Sequence, residues 1–231
     1  MRTDVFDFNG FEATVIVPDE PCGEWVWKTE FLYAFDKAEQ ALVDLGYTRV
    51  YYRVNNMYGS YKAVRLMHAF YHFVTEKYGL NERCHLFGFS RGGLYAFNFA
   101  LFYPECVASV YLDAPVLDLN SWPPEGSIER EQVYSEYSLS KDTIKSFSGN
   151  PVNNFAEFFS HRLPLLLVAG GADALVPFEE NGGRLIKYAR ERGIDVTLIL
   201  KPECGHHPHS LEDVAPIVDF VESYRSSERP K

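Results

Sequence analysis

Cysteine is scarce in this chain of 231 residues, which contains four: Cys22, Cys84, Cys106 and Cys204. No two of them have the C-x-x-C spacing of a redox or metal-binding motif, and their density is far below that of a disulfide scaffold. Two of them, Cys84 and Cys106, fall in predicted core strands. The sequence therefore predicts reduced thiols in a cytoplasmic protein.

Basic residues are also fewer than acidic ones. The 22 Lys and Arg residues stand against 32 Asp and Glu residues, which gives a formal net charge of -10. Nucleic acids and anionic lipids are bound through a basic face, and the lysines and arginines here are scattered along the chain. We therefore expect neither nucleic acid nor a membrane as a partner.

Long apolar runs are missing as well. The first ten residues, MRTDVFDFNG, lack the apolar core of a secretory signal, and no run reaches the length that spans a bilayer. A chain of this size fits one domain with one large core. We expect a single cytoplasmic domain.

Short apolar runs alternate with helical patterns, which is typical of a mostly parallel sheet covered by helices on both faces. An Asn-Gly pair at 9–10 lies between two β-rich runs and predicts an antiparallel N-terminal hairpin. The predicted strands are 5–8, 11–17, 48–54, 84–88, 106–112, 163–169 and 195–200. The predicted helices are 29–45, 63–78, 94–103, 179–192 and 211–224, with loops at 18–28 and 55–60 and a frayed tail at 226–231.

One stretch interrupts this alternation, from Asp113 to about Arg162. It contains Trp122-Pro123-Pro124, a charged run and only short helical patterns. A segment of this length without regular structure is usually a functional insertion or a lid. We expect a cap inserted at about 113–162 whose path crosses the carboxyl ends of the strands.

A G-x-S-x-G pattern stands between a predicted strand and a predicted helix, at Gly88-Phe89-Ser90-Arg91-Gly92. A serine on so tight a turn adopts strained backbone angles and needs small neighbours, which Gly88, Gly92 and Gly93 provide. This setting favours Ser90 as a nucleophile over an ordinary cap residue. The Arg91 side chain either contacts a substrate carboxylate or pairs within the protein.

A serine nucleophile needs a base and an acid that orients the base. Asp173 follows a predicted strand, and His206 follows the next one, which gives the chain order Ser, acid, His. Asp113 is an alternative acid one strand earlier, and His207 and His209 are alternative bases. The His206–His209 cluster, or His68 with His72, would otherwise indicate a metal site, but zinc needs a closed set of three or four ligands and no serine elbow. We predict no metal and no cofactor.

The elbow GFSRGG, the acid turn GGADALVP and the histidine loop GHHPHS resemble the α/β-hydrolase superfamily, in particular its serine esterase and prolyl-oligopeptidase-like group of small bacterial hydrolases. The resemblance implies an α/β-hydrolase fold with Ser90 as nucleophile, His206 as base and Asp173 as orienting acid. It also implies the Arg91 backbone N–H as one oxyanion donor. The second donor is expected after strand 11–17, at Glu24 or Trp25, although the His-Gly-Gly of lipases is missing there.

The resulting interpretation is a serine hydrolase that cleaves small polar carboxylic esters through an acyl-enzyme, with acylated carbohydrate among the expected substrates. A peptidase or thioesterase with the same triad is the alternative, and a non-catalytic binding module on this fold is the alternative of a different class. The residues expected to bind the substrate are Trp27, Asn56, Tyr58 and Trp122.

Overall fold

The computed structural model describes residues 1–226, so the predicted tail lies, apart from Ser226, outside the described residues. Within this range eight strands form a sheet in the order β1-β2-β4-β3-β5-β6-β7-β8. The strands are β1 Arg2–Phe8, β2 Phe11–Val17, β3 Trp25–Lys28, β4 Thr48–Tyr52, β5 Cys84–Phe89, β6 Val107–Asp113, β7 Leu165–Gly170 and β8 Thr197–Lys201. The α-helices are α1 Lys37–Asp44, α2 Tyr61–Tyr78, α3 Gly92–Phe102, α4 Ile128–Tyr137, α5 Phe155–Ser160, α6 Gly182–Arg190 and α7 Ala215–Ser223.

The sheet is antiparallel at its N-terminal edge and parallel elsewhere. β2 pairs antiparallel with β1 and with β4, whereas β4, β3, β5, β6, β7 and β8 run parallel. The hairpin turn has Asn9 at φ 51° and Gly10 at φ 84°, which matches the twist of the two strands it joins. The predicted hairpin and the predicted α/β-hydrolase fold class are confirmed.

The N-terminal third contains the main difference from the predicted elements. The predicted loop 18–28 includes β3, and the predicted helix 29–45 is reduced to α1. β3 has four residues, all buried, and lies between β4 and β5. This run is short and lies between Pro- and Gly-rich segments. It shows no alternation of polar and apolar residues, because both faces of the strand are covered.

Side chains of β3 show how the two faces of the sheet are used. Trp25 and Trp27 point into the larger core, which is formed with α2, α3, α5 and α6. Val26 points into the second core, under α1 and α7. This alternation follows from the two-residue period of a strand, and it places the central strands between two helical layers.

The segment 113–162 divides between two cores. α4 and the turns around it form a small cluster with the loop 55–60 and the start of α3, including Tyr58, Leu94, Val116 and Trp122. We call this group the satellite core. α5 instead packs into the larger core, where Phe158 stacks on Phe97 of α3 with ring centroids 4.4 Å apart.

Two further observations concern the cysteines and the hydrophobicity of the helices. All four cysteines are free, and Cys84 and Cys106 are buried. Among residues 1–226, no helix combines the length and the apolar character that crossing a membrane requires.

Candidate active site

Ser90 occupies the turn between β5 and α3 with φ 51°, a left-handed conformation that costs a non-glycine residue free energy. Its N–H donates to the Asp113 carbonyl at 2.9 Å, and its carbonyl accepts from Gly93 N–H at 2.9 Å. The turn requires glycine on both sides. A Cβ at Gly88 would lie 2.7 Å from Ala96 Cβ, and one at Gly93 would lie 2.5 Å from Pro115 Cβ.

Three of the predicted residues form one hydrogen-bonded line. His206 Nε2 lies 2.9 Å from Ser90 Oγ, and His206 Nδ1 lies 2.7 Å from Asp173 Oδ2. The other carboxylate oxygen, Asp173 Oδ1, accepts N–H groups from Leu175 at 2.9 Å and Val176 at 2.8 Å. These donors fix the carboxylate, so the imidazole is held with its Nδ1 proton toward Asp173 and its Nε2 toward the serine.

Close packing between the acid turn and the histidine loop sets this geometry. A Cβ at Gly170 would lie 2.3 Å from the Gly205 carbonyl oxygen, and one at Gly171 would lie 2.6 Å from the Pro202 carbonyl oxygen. Ala172 N–H also donates to the Cys204 carbonyl at 2.9 Å. The glycines at the end of β7 and directly after it therefore let the two loops approach until Asp173 reaches His206.

Asp113, the alternative acid, binds a different histidine. Its Oδ1 lies 2.7 Å from His209 Nδ1, and its Oδ2 accepts from Ser210 N–H at 2.8 Å and from the Tyr111 hydroxyl at 2.6 Å. Both side chains of the Asp113–His209 pair are buried. Since the Asp113 carbonyl also accepts the Ser90 N–H, this residue connects the elbow to the histidine loop.

The residues predicted for the second oxyanion donor, Glu24 and Trp25, lie at the wrong end of β3. Trp25 begins the strand and is fully buried, and the Glu24 carboxylate accepts from Asn81 at 2.8 Å and from Ser226 N–H at 2.8 Å. The sequence predicts a loop at 18–28, whereas the structure places β3 there, and the carboxyl end of that strand is Lys28. The elbow lies at the carboxyl ends of the strands, where Thr29 follows β3.

The loop after β3, residues 29–31, lies against the elbow. Thr29 Oγ1 donates to the Gly92 carbonyl at 2.8 Å, and a Cβ at Gly92 would lie 3.1 Å from Glu30 Cβ. The sequence analysis does not identify this loop as part of the site. The β-rich run Trp25-Val26-Trp27 is the signal that could have done so, because it places residues 29–31 at the end of a strand.

The Arg91 side chain pairs within the protein. Its Nη2 lies 3.3 Å from Glu30 Oε2, and its guanidinium lies 5.3 Å from the Phe31 ring centroid and 5.8 Å from that of Tyr58. Burial raises the pKa of Glu30, and the charge of Arg91 opposes that shift. The ion pair joins the elbow to the loop after β3.

A cavity of about 530 Å³ opens beside this ion pair. Glu12 and Arg53, whose charged groups are 3.7 Å apart, stand at the same cavity. Its lining combines paired charges with aromatic rings, one amide and three smaller side chains: Val5, Glu12, Thr14, Glu30, Phe31, Leu32, Tyr33, Tyr51, Arg53, Asn55 and Arg91.

Three of the residues predicted to bind substrate are buried away from solvent. Trp27 and Tyr58 are both 0% exposed, in the larger core and in the satellite core, and Trp122 is 8% exposed in the satellite core. These three predictions are wrong, because side chains that fill a core have no surface left for a ligand. Asn56 is exposed on the loop before α2, and its role as a binding residue stays a prediction.

The sheet topology, the strained serine between β5 and α3, and the acid and histidine after β7 and β8 define an α/β-hydrolase. A model described as the prolyl oligopeptidase family matches residues 45–227. This is most of the chain, so the protein belongs to the prolyl oligopeptidase family.

Two solved structures show the same fold. A putative dipeptidyl aminopeptidase IV from Bacteroides ovatus is 12% identical with a TM-score of 0.71, over 96% of this chain and 35% of that one. A probable hydrolytic enzyme from Pseudomonas aeruginosa is 19% identical with a TM-score of 0.56, over 98% of this chain and 94% of that one. The chain thus spans about a third of the length of the Bacteroides protein. No curated protein gave a match.

Proposed function

We propose that this protein cleaves small polar carboxylic esters through a covalent acyl-enzyme on Ser90. The observation that carries the proposal is the line of hydrogen bonds from Asp173 through His206 to Ser90, at 2.7 and 2.9 Å. A serine hydroxyl is a weak nucleophile at neutral pH, and a positioned base is what activates it.

The proposed reaction has two steps. In the first, Ser90 Oγ attacks the ester carbonyl while His206 Nε2 takes the hydroxyl proton and then delivers it to the departing alcohol. In the second, His206 takes a proton from water, which attacks the acyl-enzyme, and then returns that proton to Ser90 as the acid leaves. Asp173 holds the imidazole and stabilises its charged form throughout.

The negative charge that develops on the carbonyl oxygen needs hydrogen-bond donors, and losing one costs about 3 to 4 kcal/mol of barrier. The Arg91 backbone N–H is the first donor in this proposal, because it follows the nucleophile at the start of α3. We assign the second donor to the backbone N–H of Glu30 or Phe31, since the Thr29 N–H already donates to the Phe87 carbonyl at 3.0 Å. The contacts of Thr29 and Glu30 with Gly92 support this assignment.

The cavity beside Arg91 supports a polar, uncharged substrate group. Its two carboxylates, Glu12 and Glu30, each face an arginine, which offsets their charge. The exposed ring of Tyr33 and the half-exposed ring of Phe31 offer apolar faces beside these polar groups. Rings next to charged hydrogen-bonding side chains suit a hydroxyl-rich alcohol, such as a sugar.

A peptidase is the second candidate, and the match to the prolyl oligopeptidase family favours it. The same serine, histidine and aspartate cleave amides by the same steps, with an amine as the leaving group. The Bacteroides structure carries the description of a putative dipeptidyl aminopeptidase IV.

For location, we propose the cytoplasm, which the four free thiols support.

A substrate panel tests the proposal. Acetylated sugars, short activated acyl esters, aminoacyl amides and acyl thioesters would be compared by kcat/KM, with Ser90→Ala as the control. We expect the sugar esters to give the highest value and Ser90→Ala to abolish it. A fluorophosphonate probe should label the protein at Ser90.

Each result bears on a different part of the proposal. A preference for aminoacyl amides would contradict the esterase proposal and support the peptidase proposal. Folded protein that neither reacts with the probe nor turns over any substrate would contradict both enzymes and favour a binding module on this fold.

A further inference from the structure

Three imidazole rings form a compact cluster at the end of β8. The ring centroids of His206, His207 and His209 lie 4.8 to 5.0 Å apart. One nitrogen from each ring lies within 4.8 Å of a nitrogen from each of the other two. We propose that this cluster binds a divalent transition-metal ion, Zn²⁺ in particular, and that the bound ion inhibits hydrolysis. The binding half stands on geometry alone, whereas the inhibitory half rests on the proposed function.

Two of the three rings are already oriented as metal ligands are. His206 Nδ1 lies 2.7 Å from Asp173, and His209 Nδ1 lies 2.7 Å from Asp113. A carboxylate that accepts the Nδ1 proton leaves Nε2 unprotonated, with the lone pair of His206 directed at Ser90 Oγ, and this is the usual second-shell arrangement of metal-bound histidine. Both side chains are less than a tenth exposed, so their orientation is fixed before a metal arrives.

His207 supplies the third ligand and the entry route. It is exposed, and its ring stacks on Phe35 at a centroid distance of 5.6 Å and an interplanar angle of 15°. A tetrahedral zinc ion with Zn–N bonds of about 2.1 Å needs nitrogens about 3.4 Å apart. The ring nitrogens lie within 4.8 Å of one another, so shifts of about 1 Å in the rings, the largest in the exposed His207, meet this requirement. Water takes the fourth position.

The inhibition follows from one shared atom. In the proposed reaction His206 Nε2 must accept the proton of Ser90 Oγ, which lies 2.9 Å away. A metal ion on the same lone pair removes this base, and the proton stays on the serine. Hydrolysis and metal binding therefore exclude each other, and removing the ion with a chelator restores the base.

The test separates binding from inhibition. α2 carries a second pair of rings, with His72 Nε2 3.2 Å from His68 Nε2, and His68 also lies in a possible metal group with Glu105 and Cys106. The His68→Ala change would therefore be made in every variant to remove both competing sites. Zinc chloride is titrated calorimetrically into the folded Ser90→Ala/His68→Ala protein and into the same protein with His207→Ala added. We expect one equivalent to bind, and His207→Ala to weaken binding by about 10-fold or more, the loss that even an outer-shell partner causes.

The second measurement follows inhibition. Zinc should lower the turnover of the His68→Ala enzyme reversibly, and His207→Ala should raise the inhibitory concentration by about 10-fold or more, each variant being compared with its own zinc-free rate. The absence of zinc binding, or equal zinc affinity with and without His207, would overturn the proposal. Binding without inhibition in an active enzyme would overturn its inhibitory half. If no substrate is turned over, the calorimetric result still decides the binding half.

Discussion

Asp113 is the last residue of β6 and Asp173 follows the neighbouring parallel strand β7, yet the two carboxylates contact different histidines. Asp173 contacts His206, the ring that reaches Ser90, at 2.7 Å. Asp113 contacts His209 and the backbone of Ser210, so it acts on the histidine loop as a whole. The proposed chemistry therefore depends directly on Asp173, and it depends on Asp113 through the position of the loop.

Replacing each aspartate by asparagine tests this difference. We expect Asp173→Asn to lower kcat by about 10⁴-fold, because an amide stabilises the wrong tautomer of His206. Asp113→Asn should lower kcat much less, since the Asp173–His206 hydrogen bond remains. The measurement is kcat and KM on an activated ester, with circular dichroism to confirm folding. A larger loss from Asp113→Asn would place the catalytic acid on β6.

At the scale of one element, β3 is short and carries a buried ion pair beside the elbow. Lys28, its last residue, pairs with Glu39 of α1, and both side chains are 0% exposed. The Lys28 ammonium also lies 3.3 Å from the ring centroid of Phe89, the residue before the nucleophile. Burial lowers the pKa of Lys28, and the charge of Glu39 opposes that shift.

Breaking this pair should destabilise the fold. Lys28→Met leaves the Glu39 carboxylate buried without its partner, and we expect the free energy of unfolding to fall by about 3 to 5 kcal/mol. The double variant Lys28→Met/Glu39→Leu should recover most of that loss, because it removes both charges. Urea unfolding followed by circular dichroism measures both. If the single variant is as stable as the parent, the pair does not hold β3 to α1.

At the scale of the whole molecule, the satellite core attaches the segment 113–162 to the site. Leu94 of α3 and Val176 of the acid turn belong to it, together with Trp122 and Val133. The Tyr137 hydroxyl donates to the Tyr58 carbonyl at 2.7 Å, and Arg130 binds the Leu119 and Pro123 carbonyls. The inserted segment therefore packs on the elbow helix as well as on its own residues.

Trp122→Ala tests whether this cluster is a core. We expect the free energy of unfolding to fall by about 3 to 5 kcal/mol, as for other buried aromatic truncations. The ratio of kcat/KM between a large and a tiny ester should stay the same, because Trp122 is buried. The matched control is Ile128→Ala, since Ile128 is 74% exposed on α4 and its loss should change little. A changed ester ratio with unchanged stability would make Trp122 a binding residue.

The sequence by itself determined the features that local chemistry specifies. The Asn-Gly hairpin and the glycines around Ser90 follow from backbone sterics within a few residues, because few residue types accept these angles. The order of Ser90, Asp173 and His206 follows from the alternation of strands and helices, since parallel strands bring their carboxyl ends to one edge. These local rules predicted the fold and placed three residues that the structure brings together.

The tertiary structure alone decided what depends on residues far apart in the chain. β3 is recognisable only between β4 and β5, because a strand buried on both faces shows no alternation of polar and apolar residues. Trp27, Tyr58 and Trp122 were predicted at a pocket, and packing against other segments buried them. The Asp113–His209 pair spans 96 residues. Burial and long-range pairing are set by which segments meet in space, and no local pattern records that.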